Sequence, residues 1–189
     1  MNGPLEREVK LRYSEPVEAR EAILETGARL TRKRRLQQDC LLDTNDGTLK
    51  RQNLTLRVRV ESEQATVTFK GPPIPSTMKL REELETPVGD GSTVLRMLER
   101  IGFTIAFRYE KYREEFRSGD VIVAIDETPI GTFVELEGSS QGIEALTVQL
   151  GRAQSDYITE TYYELFMQTG NPETTASPHM IFGLSLIHI

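Results

Sequence analysis

Charged and apolar side chains alternate in Leu5-Glu6-Arg7-Glu8-Val9-Lys10-Leu11-Arg12-Tyr13. Successive side chains of an extended chain point to opposite faces, so this stretch predicts a strand with one apolar and one charged face. The charged face carries Glu6, Glu8, Lys10 and Arg12, which is both signs of charge on one surface. Such a face suits a metal ion and a multiply charged anion, and this is a hypothesis about function.

The same alternation predicts further strands. In residues 54–61, Leu54, Leu56, Val58 and Val60 alternate with polar neighbours that include Arg57 and Arg59. Together with less regular segments, the pattern predicts strands near 5–13, 36–43, 54–61, 65–70, 79–85, 107–117, 120–127 and 132–137. Residues 71–75 contain three prolines and are predicted to form a loop.

Helices are predicted between these strands and after them. One begins at Pro16 and ends at Gly27, and a second covers 92–101. Ser140 and Ser155 are candidate caps of two closing helices. Strands joined mostly by short turns favour an antiparallel α+β fold, and about eight strands is the number at which a barrel closes around its own side chains.

Composition excludes several classes of function. The chain has 189 residues, which suits one domain, and a net charge of −6, which argues against nucleic acid as a partner. Cys40 is the only cysteine, and the two histidines lie near the end of the sequence, so disulfides and histidine sites are not expected. The absence of a signal pattern and of a long apolar run predicts a cytoplasmic protein that does not bind membranes.

The last residues differ from the rest. Residues 171–189 are polar and rich in turn formers up to Pro178, and then short and apolar. The leading expectation is a disordered or extraneous tail after a domain that covers residues 1–170. The alternative is a segment that docks on the domain or on a partner.

Ordered motifs carry a resemblance to a known family. The charged sequence Glu6-x-Glu8-x-Lys10 is followed by Leu56-Arg57-Val58-Arg59, by Thr68-Phe69-Lys70-Gly71-Pro72 and by Arg81-Glu82-Glu83-Leu84-Glu85. Then come Lys111-Tyr112-Arg113 and the run from Ala124 to Gly138. In this order, over residues 3 to 170, the motifs resemble the CYTH family of triphosphate tunnel metalloenzymes.

The resemblance implies an eight-stranded antiparallel closed β-barrel with flanking helices, whose interior binds a triphosphate and divalent cations, Mg²⁺ or Mn²⁺. It implies a substrate-binding set of Lys10, Arg57, Arg59, Lys70, Arg81, Lys111 and Arg113. It implies an acidic metal-binding set of Glu6, Glu8, Glu83, Glu85, Asp126, Glu135 and Glu137. Lys111, crowded by other cations, is also a candidate catalytic residue that helps to activate the nucleophile.

Three functions fit this implication. Hydrolysis of an inorganic or organic triphosphate, such as tripolyphosphate, ATP or thiamine triphosphate, is the leading one because it needs only the tunnel, a metal ion and water. A class IV adenylate cyclase would also need a nucleoside pocket, which the sequence does not reveal. A polyphosphate- or nucleotide-binding module without catalysis is the third. Assembly into a homodimer is left open.

Overall fold

The computed structural model describes residues 4–169 and 178–183. In them, eight antiparallel strands close into one barrel, in the spatial order β1-β5-β4-β3-β2-β6-β7-β8. The strands are β1 (Leu5–Tyr13), β2 (Arg29–Thr44), β3 (Thr55–Glu61), β4 (Gln64–Lys70), β5 (Lys79–Val88), β6 (Phe103–Ser118), β7 (Val121–Thr128) and β8 (Gly131–Glu137). The α+β class and the closed eight-stranded barrel are therefore confirmed.

Five α-helices flank the barrel within the described residues. They are α1 (Pro16–Glu25), α2 (Thr48–Arg51), α3 (Gly91–Arg100), α4 (Ser140–Gln149) and α5 (Tyr162–Gln168). The predicted stop of α1 is confirmed, because Gly27 has the positive φ of 81° that glycine adopts without strain. The predicted cap Ser140 is wrong by one residue, since Ser139 accepts the hydrogen bond from Gly142 N.

Apolar side chains lie on the outside of the barrel, under the helices. Val9, Leu11 and Leu136 are fully buried in a cluster that includes Ala19 and Ile23. A second cluster joins Leu95 of α3 to Cys40, Leu42 and Val58. Because alternate residues of a strand face opposite ways, this outward apolar packing turns the polar residues of the same strands into the barrel.

The chain after α4 runs beside β1 and lines part of the barrel cavity. Ile158 exchanges two backbone hydrogen bonds with Lys10 of β1, at 3.0 and 2.9 Å. Helix α5 then begins at Tyr162, after a cap in which Thr161 accepts from Glu164 N and Glu164 accepts from Thr161 N. The predicted cap Ser155 is wrong, because residues 154–156 form only a single 3₁₀ turn.

Part of the predicted tail docks on the barrel. Strand β7 pairs with β6 only from Tyr112 onward, and the segment 178–183 lies beside the preceding residues of β6. Met180 exchanges backbone hydrogen bonds with Arg108 and Glu110 at 3.0 and 2.9 Å, and only 1% of its surface is exposed. Residues 178–183 thus contact β6, the arrangement that the docking alternative describes, and the domain boundary at residue 170 stays a prediction. Residues 170–177 and 184–189 lie outside the described residues.

Some strands and helices begin or end at other residues than the sequence pattern predicts. Strand β2 begins at Arg29 rather than near Leu36, and the short helix α2 is an element that the sequence pattern does not predict. The proline-containing segment after Lys70 is a loop with one isolated bridge between Ile74 and Leu80. In the parts of the chain that the structure describes, no helix combines the length and apolar character that crossing a bilayer requires.

Candidate active site

A cavity of about 1430 Å³ occupies the barrel interior and extends to its loops. Its lining includes every residue of the predicted substrate-binding set, namely Lys10, Arg57, Arg59, Lys70, Arg81, Lys111 and Arg113. It also includes six of the seven predicted acidic residues, namely Glu6, Glu8, Glu83, Glu85, Glu135 and Glu137. The structure thus brings cations and carboxylates from separate strands to one interior surface.

The charged residues of β1 face partners from neighbouring strands. Glu8 Oε1 accepts hydrogen bonds from Lys79 Nζ at 2.9 Å and from Lys10 Nζ at 3.2 Å. Burial opposes the ionised form of Glu8, but the two ammonium groups outweigh it and hold its pKa well below the usual value. Burial likewise disfavours the Lys10 ammonium, yet Glu8 and Glu135 raise its pKa to about 12. Both groups are therefore charged at neutral pH.

Two carboxylates beside Glu8, Glu6 of β1 and Glu137 of β8, are less well compensated. Lys70 Nζ lies 2.6 Å from Glu6 Oε2 and 2.8 Å from Glu83 Oε2. Burial and the nearby charge of Glu8 raise the pKa of Glu6, which shares a hydrogen bond with Glu83. Burial, Glu8 and Glu83 raise the pKa of Glu137 to about 7. In this part of the wall the carboxylates thus lie close enough together to disfavour ionisation of Glu6 and Glu137.

The carboxylates grouped on this part of the wall could hold a divalent cation. Among the described residues, no three Asp, Glu, His or Cys side chains form a ready-made metal cage. Mg²⁺ does not need one, because it keeps several waters and is usually held by one or two carboxylates together with substrate phosphates. The carboxylate oxygens of Glu6, Glu8, Glu83 and Glu137 are donors of the type that Mg²⁺ and Mn²⁺ prefer, and the raised pKa values of Glu6 and Glu137 reflect repulsion from neighbouring acids.

Asp126 has a different setting from the other predicted acids. Its side chain is fully buried and does not line the cavity. It accepts hydrogen bonds from Lys111 Nζ at 2.8 Å, from Arg113 Nε at 2.6 Å and from Tyr162 Oη at 2.7 Å. The carboxylate lies behind the two cations and fixes them, so in this arrangement it supports cavity residues rather than facing a ligand.

Lys111 is the candidate catalytic residue, and the structure surrounds it with cations and acids. Burial and the charge of Arg113 lower its pKa to about 8, although Asp126 and Glu135 act in the opposite direction. Arg113 also contacts Glu135 through its terminal nitrogen. The prediction that neighbouring cations depress the pKa of Lys111 therefore agrees with its surroundings, with burial as the larger cause.

Two arginines of the cavity wall, Arg57 of β3 and Arg81 of β5, each have a guanidinium nitrogen that makes no hydrogen bond with the described residues. Arg57 donates to Thr68 Oγ1 at 3.0 Å and to Glu85 Oε2 at 3.3 Å, while Arg59 donates to Asp39. The Nε atoms of Arg57 and Arg81 are buried and make no hydrogen bond with the described residues, although each has a carboxylate oxygen nearby, Asp39 Oδ1 at 3.5 Å and Glu6 Oε2 at 3.8 Å. Buried donors at such distances are only partly satisfied, so these guanidinium groups suit an anionic ligand.

Sequence reasoning missed several residues of this surface. Lys79 is outside the predicted site residues, although its ammonium group contacts Glu8. Asp39 gives no signal, because its neighbours in Gln37-Gln38-Asp39-Cys40-Leu41 do not alternate clearly. Tyr162 is also outside the predicted site residues, yet its hydroxyl donates to Asp126.

Comparisons with known proteins agree with this architecture. The sequence profile of the CYTH domain matches residues 4–162. The chain is 29% identical over 140 residues to a protein of Methanocaldococcus jannaschii named "Putative adenylate cyclase", a match that covers 74% of this chain and 79% of the relative.

Solved structures share the fold. A Vibrio parahaemolyticus protein described as a "putative adenylate cyclase" superposes with a TM-score of 0.77 at 20% identity, covering 87% of this chain and 99% of the other. A Hippeastrum protein, described as a "putative adenylyl cyclase" with a dominant triphosphatase activity, gives 0.65 at 18% identity, covering 92% and 99%. At these identities the likeness establishes the fold alone. Because the profile spans most of the sequence and the described residues form the barrel with its charged interior, this chain belongs to the CYTH domain family.

Proposed function

We propose that this protein hydrolyses a triphosphate inside the barrel with the help of Mg²⁺ or Mn²⁺. The observation that carries the proposal is the interleaving of cations and carboxylates on one enclosed surface, where Lys70 lies between Glu6 and Glu83 and Lys10 lies near Glu8 and Glu135. A triphosphate needs several cationic partners at once. Grouped acids, in turn, need a cation to offset their repulsion.

The basic residues have separate tasks in this proposal. Arg57, Arg59 and Arg81 present guanidinium groups, which bind phosphate oxygens with directional hydrogen bonds. Lys10 and Lys70 act as compact charges beside the acids of β1 and β5. Together they hold the phosphate chain in one orientation, and positioning is a large part of catalysis in phosphoryl transfer.

Lys111 and Arg113 are proposed to contact the reacting phosphoryl group. Both are fixed from behind by Asp126, so their charges are already in place when negative charge develops in the transition state. Glu6, Glu8, Glu83 and Glu137 would hold the divalent ion. That ion supplies Lewis-acid neutralisation of the phosphate oxygens when it is bound.

Cyclisation of ATP to cyclic AMP is the second candidate. It is favoured by the names of the Methanocaldococcus jannaschii and Vibrio parahaemolyticus relatives. The same grip on a triphosphate serves either reaction, and the nucleophile decides between them: water for hydrolysis, the ribose 3′-hydroxyl for cyclisation.

Product analysis separates these functions. Purified protein is incubated with tripolyphosphate or ATP and with Mg²⁺ or Mn²⁺, and inorganic phosphate and cyclic AMP are quantified separately. We expect the wild type to release phosphate and Arg59→Gln to release none. Arg96→Gln, a matched change on the exposed side of α3, should release phosphate at the wild-type rate. Cyclic AMP as the main product would establish the cyclase instead. Tight triphosphate binding without either product would establish a binding module.

A further inference from the structure

Tyr162 is the first residue of α5 and lines the charged cavity of the barrel. Its surface is 6% exposed, and its ring packs edge-on against Phe133 with centroids 5.5 Å apart. The ammonium groups of Lys10 and Lys111 lie 5.3 and 5.0 Å from its ring centroid. The aromatic face therefore stabilises two cations that would otherwise repel each other.

The backbone around Tyr162 is fixed at two points. The two hydrogen bonds between Ile158 and Lys10 tie the preceding segment to β1, and the reciprocal cap between Thr161 and Glu164 sets the first turn of α5. Such constraints leave the ring little freedom. Its hydroxyl consequently reaches one defined acceptor, the carboxylate of Asp126.

Tyr162 and Lys111 donate to the same oxygen. Asp126 Oδ2 receives Tyr162 Oη at 2.7 Å, Lys111 Nζ at 2.8 Å and a terminal nitrogen of Arg113 at 2.5 Å, while Oδ1 receives Arg113 Nε at 2.6 Å. An oxygen shared among several donors binds each of them less strongly, and each donor is confined to the lone-pair direction that the others leave open. The phenol thereby limits the pull of Asp126 on the ammonium group and leaves it available to a ligand in the cavity.

We propose that Tyr162 is a positioning residue that acts through Asp126 to orient Lys111 and Arg113 toward the bound triphosphate. The inference rests on the proposed function for the identity of the ligand. It makes the first turn of α5 part of the site. Tyr162 itself does not touch the reacting atoms in this account, so its effect must depend on the presence of Asp126.

The first test removes only the hydroxyl. Tyr162→Phe keeps the ring, its packing against Phe133 and its contact with both lysines. Loss of one supporting hydrogen bond is expected to lower kcat for tripolyphosphate about tenfold and to raise KM about threefold. Tyr157→Phe is the matched control, because that hydroxyl contacts Thr147 under α4, at 3.1 Å. Its kinetic constants are expected to equal those of the wild type.

A double-mutant cycle tests whether Tyr162 acts through Asp126. In the Asp126→Asn background, Tyr162→Phe should cause no further loss, because the acceptor it orients is already altered. If Asp126→Asn does not fold, Lys111→Gln serves as the second member of the cycle, and the kcat effect of Tyr162→Phe should shrink in that background as well. Fully multiplicative effects, or a Tyr162→Phe enzyme with wild-type kcat and KM, would overturn the proposal.

The double-mutant cycle of Tyr162 and Asp126 still tests the positioning role if the protein does not hydrolyse triphosphates. Should the wild type release neither phosphate nor cyclic AMP, the same variants are compared by calorimetric titration with tripolyphosphate in the presence of Mg²⁺. Tyr162→Phe is then expected to weaken binding about threefold alone and not at all in the Asp126→Asn background. Equal affinity of Tyr162→Phe and wild type would reject the positioning role, whatever the reaction.

Discussion

Asp39 and Arg59 form a two-point ion pair inside the barrel, with Nε to Oδ1 at 2.8 Å and a terminal nitrogen to Oδ2 at 3.3 Å. The Asp39 side chain is fully buried, and Arg57 Nε lies 3.5 Å from the same Oδ1. Burial would raise the pKa of Asp39, but Arg59 and Arg57 outweigh it and lower the pKa. Asp39 is thus the counter-ion of the two arginines when no ligand is bound.

Replacing Asp39 by Asn should destabilise the protein and increase its response to ligand. Two buried guanidinium groups lose their counter-ion, which costs about 3–5 kcal/mol in the free energy of unfolding. Tripolyphosphate can replace the lost charge, so it should raise Tm more in Asp39→Asn than in the wild type. Thermal unfolding with and without tripolyphosphate measures this. Glu99→Gln, at an exposed position of α3, is the control. Equal ligand-induced shifts in both proteins would contradict the assignment of these arginines.

Stability should fall as pH rises through neutrality when metal is absent. Glu137 has a pKa raised to about 7 by burial, Glu8 and Glu83, against an ordinary value of 4.5, and the pKa of Glu6 is raised as well. Between these values the folded state binds more protons than the unfolded state. The stabilisation is therefore complete below pH 4.5 and is lost as pH rises through 7.

Denaturant unfolding in a chelator, at several values of pH, checks this dependence. Glu137→Gln should reduce the slope over the same range, and added Mg²⁺ should remove much of it by neutralising the carboxylates. A metal-free protein whose free energy of unfolding rises from pH 5 to pH 7 would show that these acids are compensated in some other way.

Glu8→Gln should impair turnover far more than folding. In this variant Lys10 still has Glu135 as an ion-pair partner at 3.6 Å. Burial lowers the pKa of Lys79 to about 8, so Lys79 can lose its proton at little cost when Glu8 is no longer charged. Loss of one metal-binding carboxylate is expected to raise the Mg²⁺ concentration for half-maximal turnover at least about tenfold. Steady-state rates against Mg²⁺ concentration measure this, with Glu21→Gln on α1 as the control. An unchanged metal requirement would remove Glu8 from the metal-binding set.

Met180→Asp should release the docked segment without unfolding the barrel. A carboxylate cannot be buried in the apolar cluster with Phe107 and Phe166, so undocking is the cheaper response. The Glu110 amide then loses its acceptor, Met180 O, at 2.9 Å. Hydrogen exchange should show faster exchange at this amide, while amides of the β3–β4 ladder keep their protection. Unchanged protection at Glu110 would contradict the docking.

The sequence predicts those strands of the barrel in which polar and apolar residues alternate. In β1 and β3 the inward charges alternate with outward residues that are apolar except for Arg7, so parity identifies Glu6, Glu8, Arg57 and Arg59 as one surface. The first half of β2 shows no such pattern. Its residues from Arg29 to Arg34 are exposed, and they extend the sheet by pairing with β6 rather than by covering a core.

The positions of some site residues depend on contacts with distant parts of the chain, and the local sequence pattern does not predict them. Asp126 resembles any acid of the wall in sequence, and only the approach of Lys111, Arg113 and Tyr162 places it behind the cations. Thr161, rather than Ser155, caps the closing helix because the chain between them is held by Ile158 against β1. These placements depend on contacts between residues distant in sequence.

We propose that the charged interior binds a triphosphate and, with a divalent metal, cleaves its terminal phosphoanhydride. The most direct measurement follows tripolyphosphate by ³¹P nuclear magnetic resonance in the presence of the protein and Mg²⁺. We expect the tripolyphosphate signals to decline as pyrophosphate and phosphate signals grow, and we expect a chelator or Arg59→Gln to stop the conversion. Tripolyphosphate signals that keep the intensity and line width of the free compound, at protein concentrations comparable to the substrate, would contradict both binding and hydrolysis.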